Sequence, residues 1–281
     1  MSESLDAPYV SGSTVVSELR RLGRNLNGYN GETIDIRAVL LGCDSAAQDH
    51  GWIAERIEAS PDLALPAFIR PAMRPASKPV NIYISAGIHG DEPATPLAAR
   101  QLLRDNRWPV SASLWMCPCL NPSGFIGNRR ENEHGTDLNR QYLQPQAKET
   151  VAHISWLQTQ PSMDLCLCLH EDWESHGFYL YELNPDGLPS ASERVLKDVS
   201  GVCPIDYSET IEGRPAKNGL ILPILDIRTR LQWPEALFLI THKTRLCYTL
   251  EAPSDFPLHS RVQALVTAVN SAVGFLARSE V

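Results

Sequence analysis

No run of about eighteen apolar residues occurs in this 281-residue chain, so it offers no helix able to cross a membrane. It also lacks an excess of positive charge. Thirty-three acidic residues outnumber twenty-five basic ones, for a net charge of -8, and a partner built on phosphates, such as nucleic acid, is not expected. The opening MSESLDAPYV has no basic stretch followed by an apolar one, which argues against a secretory signal. A disulfide framework is missing too. The seven cysteines are odd in number and show no framework spacing, which fits free thiols in a reducing, cytoplasmic setting. There is no internal repeat and no low-complexity tract. What remains is 43% hydrophobic and 21% charged residues, an ordinary globular balance in a chain long enough to bury its own core.

The pattern along the chain is that of an α/β protein. Residues 15–22 have amphipathic helical spacing, while 33–41 (TIDIRAVLL) and 52–57 look strand-like. The Pro-rich stretch 61–79 reads as loop and edge strand, because what precedes it is too short for a separate domain. Residues 80–87 (VNIYISAG) form an apolar run that ends in glycine, as a buried strand would, and 95–103 is helical in spacing. Further strands are expected at 112–120, 164–169, 178–183 and 246–250, and helices at 148–159 and 261–277. A long polar loop at 121–142 separates two of these elements, and loops of that length inside compact domains are usually functional. The whole chain, 1–281, is expected to form one domain, with 80–281 as its catalytic core.

Three apolar strands run into residues that bind metals or move protons: His89, His170 and Glu251. If the strands are parallel, those ends share one edge of the sheet, where open α/β sheets build their sites. His89 and Glu92 stand three apart in IHGDEP. Imidazole and carboxylate together suit zinc, and two histidines with one glutamate leave a catalytic position open. By itself the pair is a weak signal, since a carboxylate in a first helical turn is also favoured by the helix dipole. The 121–142 loop carries three arginines and the compact run Asp137, Leu138, Asn139, Arg140. Guanidinium groups there suit a carboxylate or an oxyanion. The alternations CPC and CLC place Cys117 with Cys119, and Cys166 with Cys168, each pair on one strand face as small buried hydrophobes.

In this order HGDE, NPSG, TDLNR, the strand-ending His170 and the late TLEAPS resemble the zinc metallocarboxypeptidase family that includes carboxypeptidase A, in its compact bacterial form. The resemblance covers residues 82–254, and the first eighty residues carry none of its motifs. It implies an α/β three-layer sandwich with a mixed, largely parallel central sheet. It also implies one Zn2+ per chain held by His89, Glu92 and His170, with Glu251 as general base. Arg130 would polarise the scissile carbonyl, with its neighbour Arg129 as the alternative. Asn139 and Arg140 would grip the substrate's terminal carboxylate. The family's tyrosine some twenty residues before the base has no counterpart here, and Tyr207 lies too far upstream to supply it. Glu235 is a candidate for a pocket that receives a basic side chain.

The activity implied is hydrolysis of the C-terminal peptide bond of peptides. Related proteins of the same fold, the succinylglutamate desuccinylases and aspartoacylases, cleave N-acyl amino acids, and that reading stays open for a substrate with a free carboxylate. A murein-peptide or γ-glutamyl amidase is a further enzymatic alternative. A non-catalytic binding protein is the alternative from another class, although such a protein has no need of Glu251.

Overall fold

The computed structural model describes residues 16, 19–25, 28, 31–74, 80–224 and 230–276. Eight strands form one sheet. In chain order the elements are α1 (Ile36–Asp49), β1 (Ile53–Ser60), β2 (Leu63–Arg70), β3 (Val80–Ser85), α2 (Ala94–Asp105), β4 (Ala112–Cys117), α3 (Pro122–Gly127), α4 (Lys148–Thr159), β5 (Leu165–Asp172), β6 (Tyr179–Leu183), α5 (Ser192–Val199), β7 (Thr210–Ile211), β8 (Arg214–Pro215), β9 (Leu220–Ile221), α6 (Glu235–His242), β10 (Cys247–Pro253) and α7 (Leu258–Leu276). The sheet order is β1-β2-β4-β3-β5-β10-β6-β9, and β7 and β8 make a separate small hairpin. The centre of the sheet is parallel, from β4 through β3 and β5 to β10, and antiparallel strands flank it on both sides. One core packs α1, α2, α5 and α7 on one face, and a second packs α4 and α6 on the other. The result is the mixed, largely parallel three-layer arrangement expected from the sequence.

Two expected elements differ. Residues 33–41 are not a strand, because the chain enters α1 at Ile36. Asp35 caps that helix by accepting from Ala38 N at 3.1 Å. The β-branched residues 33, 34 and 36 suggest a strand, but the buried positions Ile36, Val39, Cys43, Ala46 and Ala47 repeat at three and four, which only a helix aligns on one face. The strand found in the Pro-rich stretch, β2, is not at the edge. It lies between β1 and β4. Pro66 is tolerated because β4 pairs only with Phe68–Arg70, leaving the chain at Pro66 without a ladder on that side. Of the amphipathic helix expected at 15–22, residues 15, 17 and 18 lie outside the described residues, and 19–22 are not helical.

Beneath α4, on the second core's face, lies a buried polar network. His153 bridges two tyrosines, with Nε2 donating to Tyr83 Oη at 2.8 Å and Nδ1 accepting from Tyr142 Oη at 2.8 Å. Tyr83 also donates to Glu235 Oε1 at 3.0 Å, and Ser85 Oγ donates to Glu235 Oε2 at 2.9 Å. Burial lowers the His153 pKa to about 3. An unfolded histidine titrates near 6.5, so between about 6.5 and 3 the unfolded chain binds a proton that the folded chain refuses. The stability from His153 is therefore complete above pH 6.5 and falls by about 1.4 kcal/mol per pH unit below it. Denaturant titrations at pH 7, 6 and 5 should show His153→Gln losing less stability per pH unit than the parent chain. Parallel losses in the two proteins would remove His153 as the source.

Candidate metal centre

Parallel pairing of β3, β5 and β10 brings their carboxyl ends together, and Glu251 lies directly beside His170 in the register. Alternation then sets a row of side chains on the α6 face, with His170, Glu251 and Tyr179 across the three strands β5, β10 and β6. Beyond β3 the chain turns through Gly87, whose φ is +62°, and reaches His89. Gly90 then passes so close to Gly124 that an added Cβ would lie 2.0 Å from the Gly124 carbonyl carbon, so this position tolerates no side chain. The HGDE loop is thereby clamped against α3. The N-terminus of α3 is fixed by Asn121, which accepts from Gly124 N at 3.0 Å and donates to Ile88 O at 3.1 Å.

His89, Glu92 and His170 converge, all buried, with one ligand-capable atom of each within 4.8 Å of the others. Both histidines turn Nδ1 towards the same carboxylate, His89 at 2.5 Å from Oε1 and His170 at 3.1 Å from Oε2. Their rings are 4.9 Å apart. Desolvation opposes the His89 imidazolium, but Glu92 and Asp137 outweigh it and raise the pKa to about 8. His170 is raised in the same way, with Glu92 the main offset to its burial. Against its own desolvation, the two imidazoles hold the Glu92 carboxyl well below the usual range. Charge of this kind on a buried carboxylate needs a positive partner, such as protons on the imidazoles. Two imidazoles and one carboxylate are a donor set that zinc accepts, and a divalent cation can take the place of those protons. The residues therefore fit the metal. Among the described residues no other such group occurs.

The cavity over this trio has a volume of about 380 Å³, and its lining includes Arg130, Asn139, Arg140 and Glu251. Glu251 is half-buried. Desolvation, together with the charges of Glu92, Glu212 and Asp172, holds its carboxyl well above the usual range, and His170 pulls the other way. A cation on the trio would bring it down. Arg130 is aimed by Asp137, with Nε to Oδ2 at 2.9 Å, and its NH1 lies 3.4 Å from His89 Nδ1. Asn139 accepts Glu235 N on Oδ1 at 2.8 Å, and its Nδ2 makes no hydrogen bond among the described residues. Arg140 is exposed, and among the described residues its side chain bonds only the carbonyl of Asn139, at 2.8 Å. Arg129 is exposed and outside the lining, so of the two neighbours only Arg130 reaches the cavity.

Glu235 does not line the cavity and is 1% exposed. Its carboxyl faces Tyr83 and Ser85, so it provides no pocket for a basic side chain. Tyr207 is 68% exposed and also outside the lining. The CPC pair splits, because the chain leaves β4 at Cys117. Cys117 sits in the α4/α6 core and Cys119 in the other, whereas Cys166 and Cys168 share the α4/α6 core. All seven cysteines are free and buried.

Reading the sequence alone misses the part played by Asp137. One oxygen caps the 138–140 turn by accepting Asn139 N at 2.9 Å and stands 3.4 Å from His89 Nε2, while the other holds Arg130. Among the described residues, His89 Nε2 is buried and Asp137 is the carboxylate that faces it. A carboxylate behind a histidine ligand fixes the ring, and losing one typically costs 10–100-fold in affinity or activity. Asp137→Asn should therefore weaken metal binding by roughly that factor in a chelator competition, and unchanged affinity would contradict the role.

Residues 79–196 match the family model described as the succinylglutamate desuccinylase/aspartoacylase catalytic domain. Comparison with the curated proteins finds no match. Among solved structures, one from Shewanella amazonensis SB2B, called a "putative metallopeptidase", is 24% identical, with 86% of this chain and 93% of that one covered at a TM-score of 0.74. A metallo-carboxypeptidase from Burkholderia cenocepacia is 13% identical, with 88% and 70% covered and a TM-score of 0.65. The metallo-carboxypeptidase of Pseudomonas aeruginosa, solved with (2-guanidinoethylmercapto)succinic acid, is 16% identical, with 87% and 69% covered and a TM-score of 0.62.

Proposed function

The chain is carboxypeptidase-like in fold and, over residues 79–196, similar to the desuccinylase/aspartoacylase catalytic domain, and on that premise we propose that it is a zinc-dependent metallohydrolase that removes the C-terminal residue of peptides. The observation that carries this reading is the placement of Glu251 beside the His89, Glu92 and His170 trio in a cavity that also receives Arg130, Asn139 and Arg140. His89, Glu92 and His170 would hold the zinc, which when bound supplies Lewis-acid polarisation of a carbonyl and of water.

The protein's own groups do the rest. Glu251 takes a proton from the attacking water and returns it to the leaving nitrogen. Arg130, fixed by Asp137, presents its guanidinium to the oxygen on which negative charge develops. Arg140 and the free amide of Asn139 hold the terminal carboxylate, so only the last amide bond lies over the trio. That is catalysis by positioning, and it makes the activity exolytic.

The family model supports a second reading, removal of an acyl group from an N-acyl amino acid by the same residues in the same roles. Zinc-loaded protein incubated with peptides and with N-acetyl and N-succinyl amino acids, followed by mass spectrometry, tests both. Stepwise loss of C-terminal residues supports the peptidase. Cleavage of acyl amino acids alone supports the second reading, and inertness on both panels overturns the proposal.

A further inference from the structure

The carboxyl end of β5 is laddered on one side only. Its pairing with β3 stops at Ser85 and Cys168, while its pairing with β10 continues through His170 to Asp172. His170 therefore projects from a strand end that has no ladder towards β3. Its ring also has no counterpart of Asp137, because among the described residues the carboxylate paired with it is Glu92, itself one of the trio. Another anchor holds this end. Glu171 follows His170, and alternation turns it to the α7 face of the sheet, in line with Leu165, Leu167 and Leu169. There Arg261 of α7 donates from Nη1 to both oxygens of Glu171, at 2.9 and 3.1 Å.

The side chains of Arg261 and Glu171 are both 0% exposed. A guanidinium so far from water is tolerated only with carboxylates beside it. Its second partner is Glu32, which accepts from Nη2 and is also paired with Arg24. Glu32 and Arg24 belong to the segment ahead of α1. The same segment is latched to the link between β10 and α7. The buried Asp255 carboxylate there accepts from Gly23 N at 3.2 Å, Arg24 N at 2.9 Å and Arg21 Nε at 3.1 Å. Glu32, Asp255 and Arg261 all lie outside residues 79–196, the span matched by the family model. Arg261 does not line the cavity, so whatever it does for the site passes through Glu171. We propose that Arg261 is a positioning residue of the metal centre: held by Glu32, it fixes Glu171 and so the backbone that presents His170 to the trio. The N-terminal segment thereby becomes part of the site. This rests on the reading above that the trio holds zinc.

The test compares the full chain with Arg261→Gln, Arg261→Lys and Glu32→Ala, each checked for folding by its denaturant midpoint. Zinc affinity is read by chelator competition, and ligand geometry by the visible absorption of the cobalt-loaded protein. Zinc should bind about tenfold more weakly in Arg261→Gln and about threefold more weakly in Glu32→Ala. Arg261→Lys should fall between the parent and Arg261→Gln, since an ammonium keeps the charge but not the two-pronged grip. The cobalt bands of Arg261→Gln should differ from those of the parent. If Arg261→Gln does not fold, Glu32→Ala decides alone, because its side chain is partly exposed and its loss leaves Arg261 paired with Glu171. Folded variants that match a zinc-binding parent in affinity and spectrum overturn this proposal alone and leave Arg261 a residue of stability only. A parent chain that binds no zinc overturns the metal reading and this proposal with it.

Discussion

Glu251→Gln retains its metal and turns over substrate roughly 10²–10⁴-fold more slowly, the usual scale for removing a general base. The amide keeps the size of the carboxyl and its place beside His170 in the register but cannot accept a proton. Glu251 is not one of the three converging ligand groups, so the variant separates binding from proton transfer. Steady-state rates and elemental analysis of the same preparation check both halves. Normal turnover in a metal-replete variant would remove Glu251 from the mechanism. Loss of metal together with rate would make it a ligand instead.

Arg140→Ala should lower kcat/KM on substrates with a free terminal carboxylate by about 10- to 100-fold, from about 1.5–3 kcal/mol for a hydrogen bond to a charged group. Substrates with that carboxylate amidated should change by less than threefold, since the guanidinium has nothing to pair with in them. The free side chain has no ion pair to lose and is exposed, so the fold should not register the change. Equal losses on free and amidated substrates would show that Arg140 acts on something other than the terminal carboxylate.

The ends of β3, β5 and β10 were legible in the sequence because buried parallel strands are continuous apolar runs, and a polar residue that ends such a run stands out. His89, His170 and Glu251 therefore stand out from the amino-acid sequence alone. Charge in the 121–142 loop pointed to Arg130 and Arg140, but it could not say which of the two adjacent arginines turns inward. That depends on Asp137, whose carboxylate takes Arg130 and leaves Arg129 in solvent. Glu235 misled for a related reason. A lone glutamate carries no mark of its partners, and the hydroxyls of Tyr83 and Ser85 that hold it lie about 150 residues away in sequence. Arg214 was invisible because the short β7, β8 and β9 have no periodicity of their own, and only the fold brings β8 to the cavity. The error at α1 was one of composition over period, since its β-branched start outweighed a three-and-four repeat that was already present.

The convergence of His89, Glu92 and His170 on one metal is the claim on which the rest depends. The most direct test is the metal content of the purified chain after zinc loading and removal of free zinc, by elemental analysis, alongside His170→Ala treated identically. One zinc per chain in the parent, and far less in the variant, is the expected result. A parent chain that holds no zinc after loading would contradict the account, because the three side chains would then not form a site.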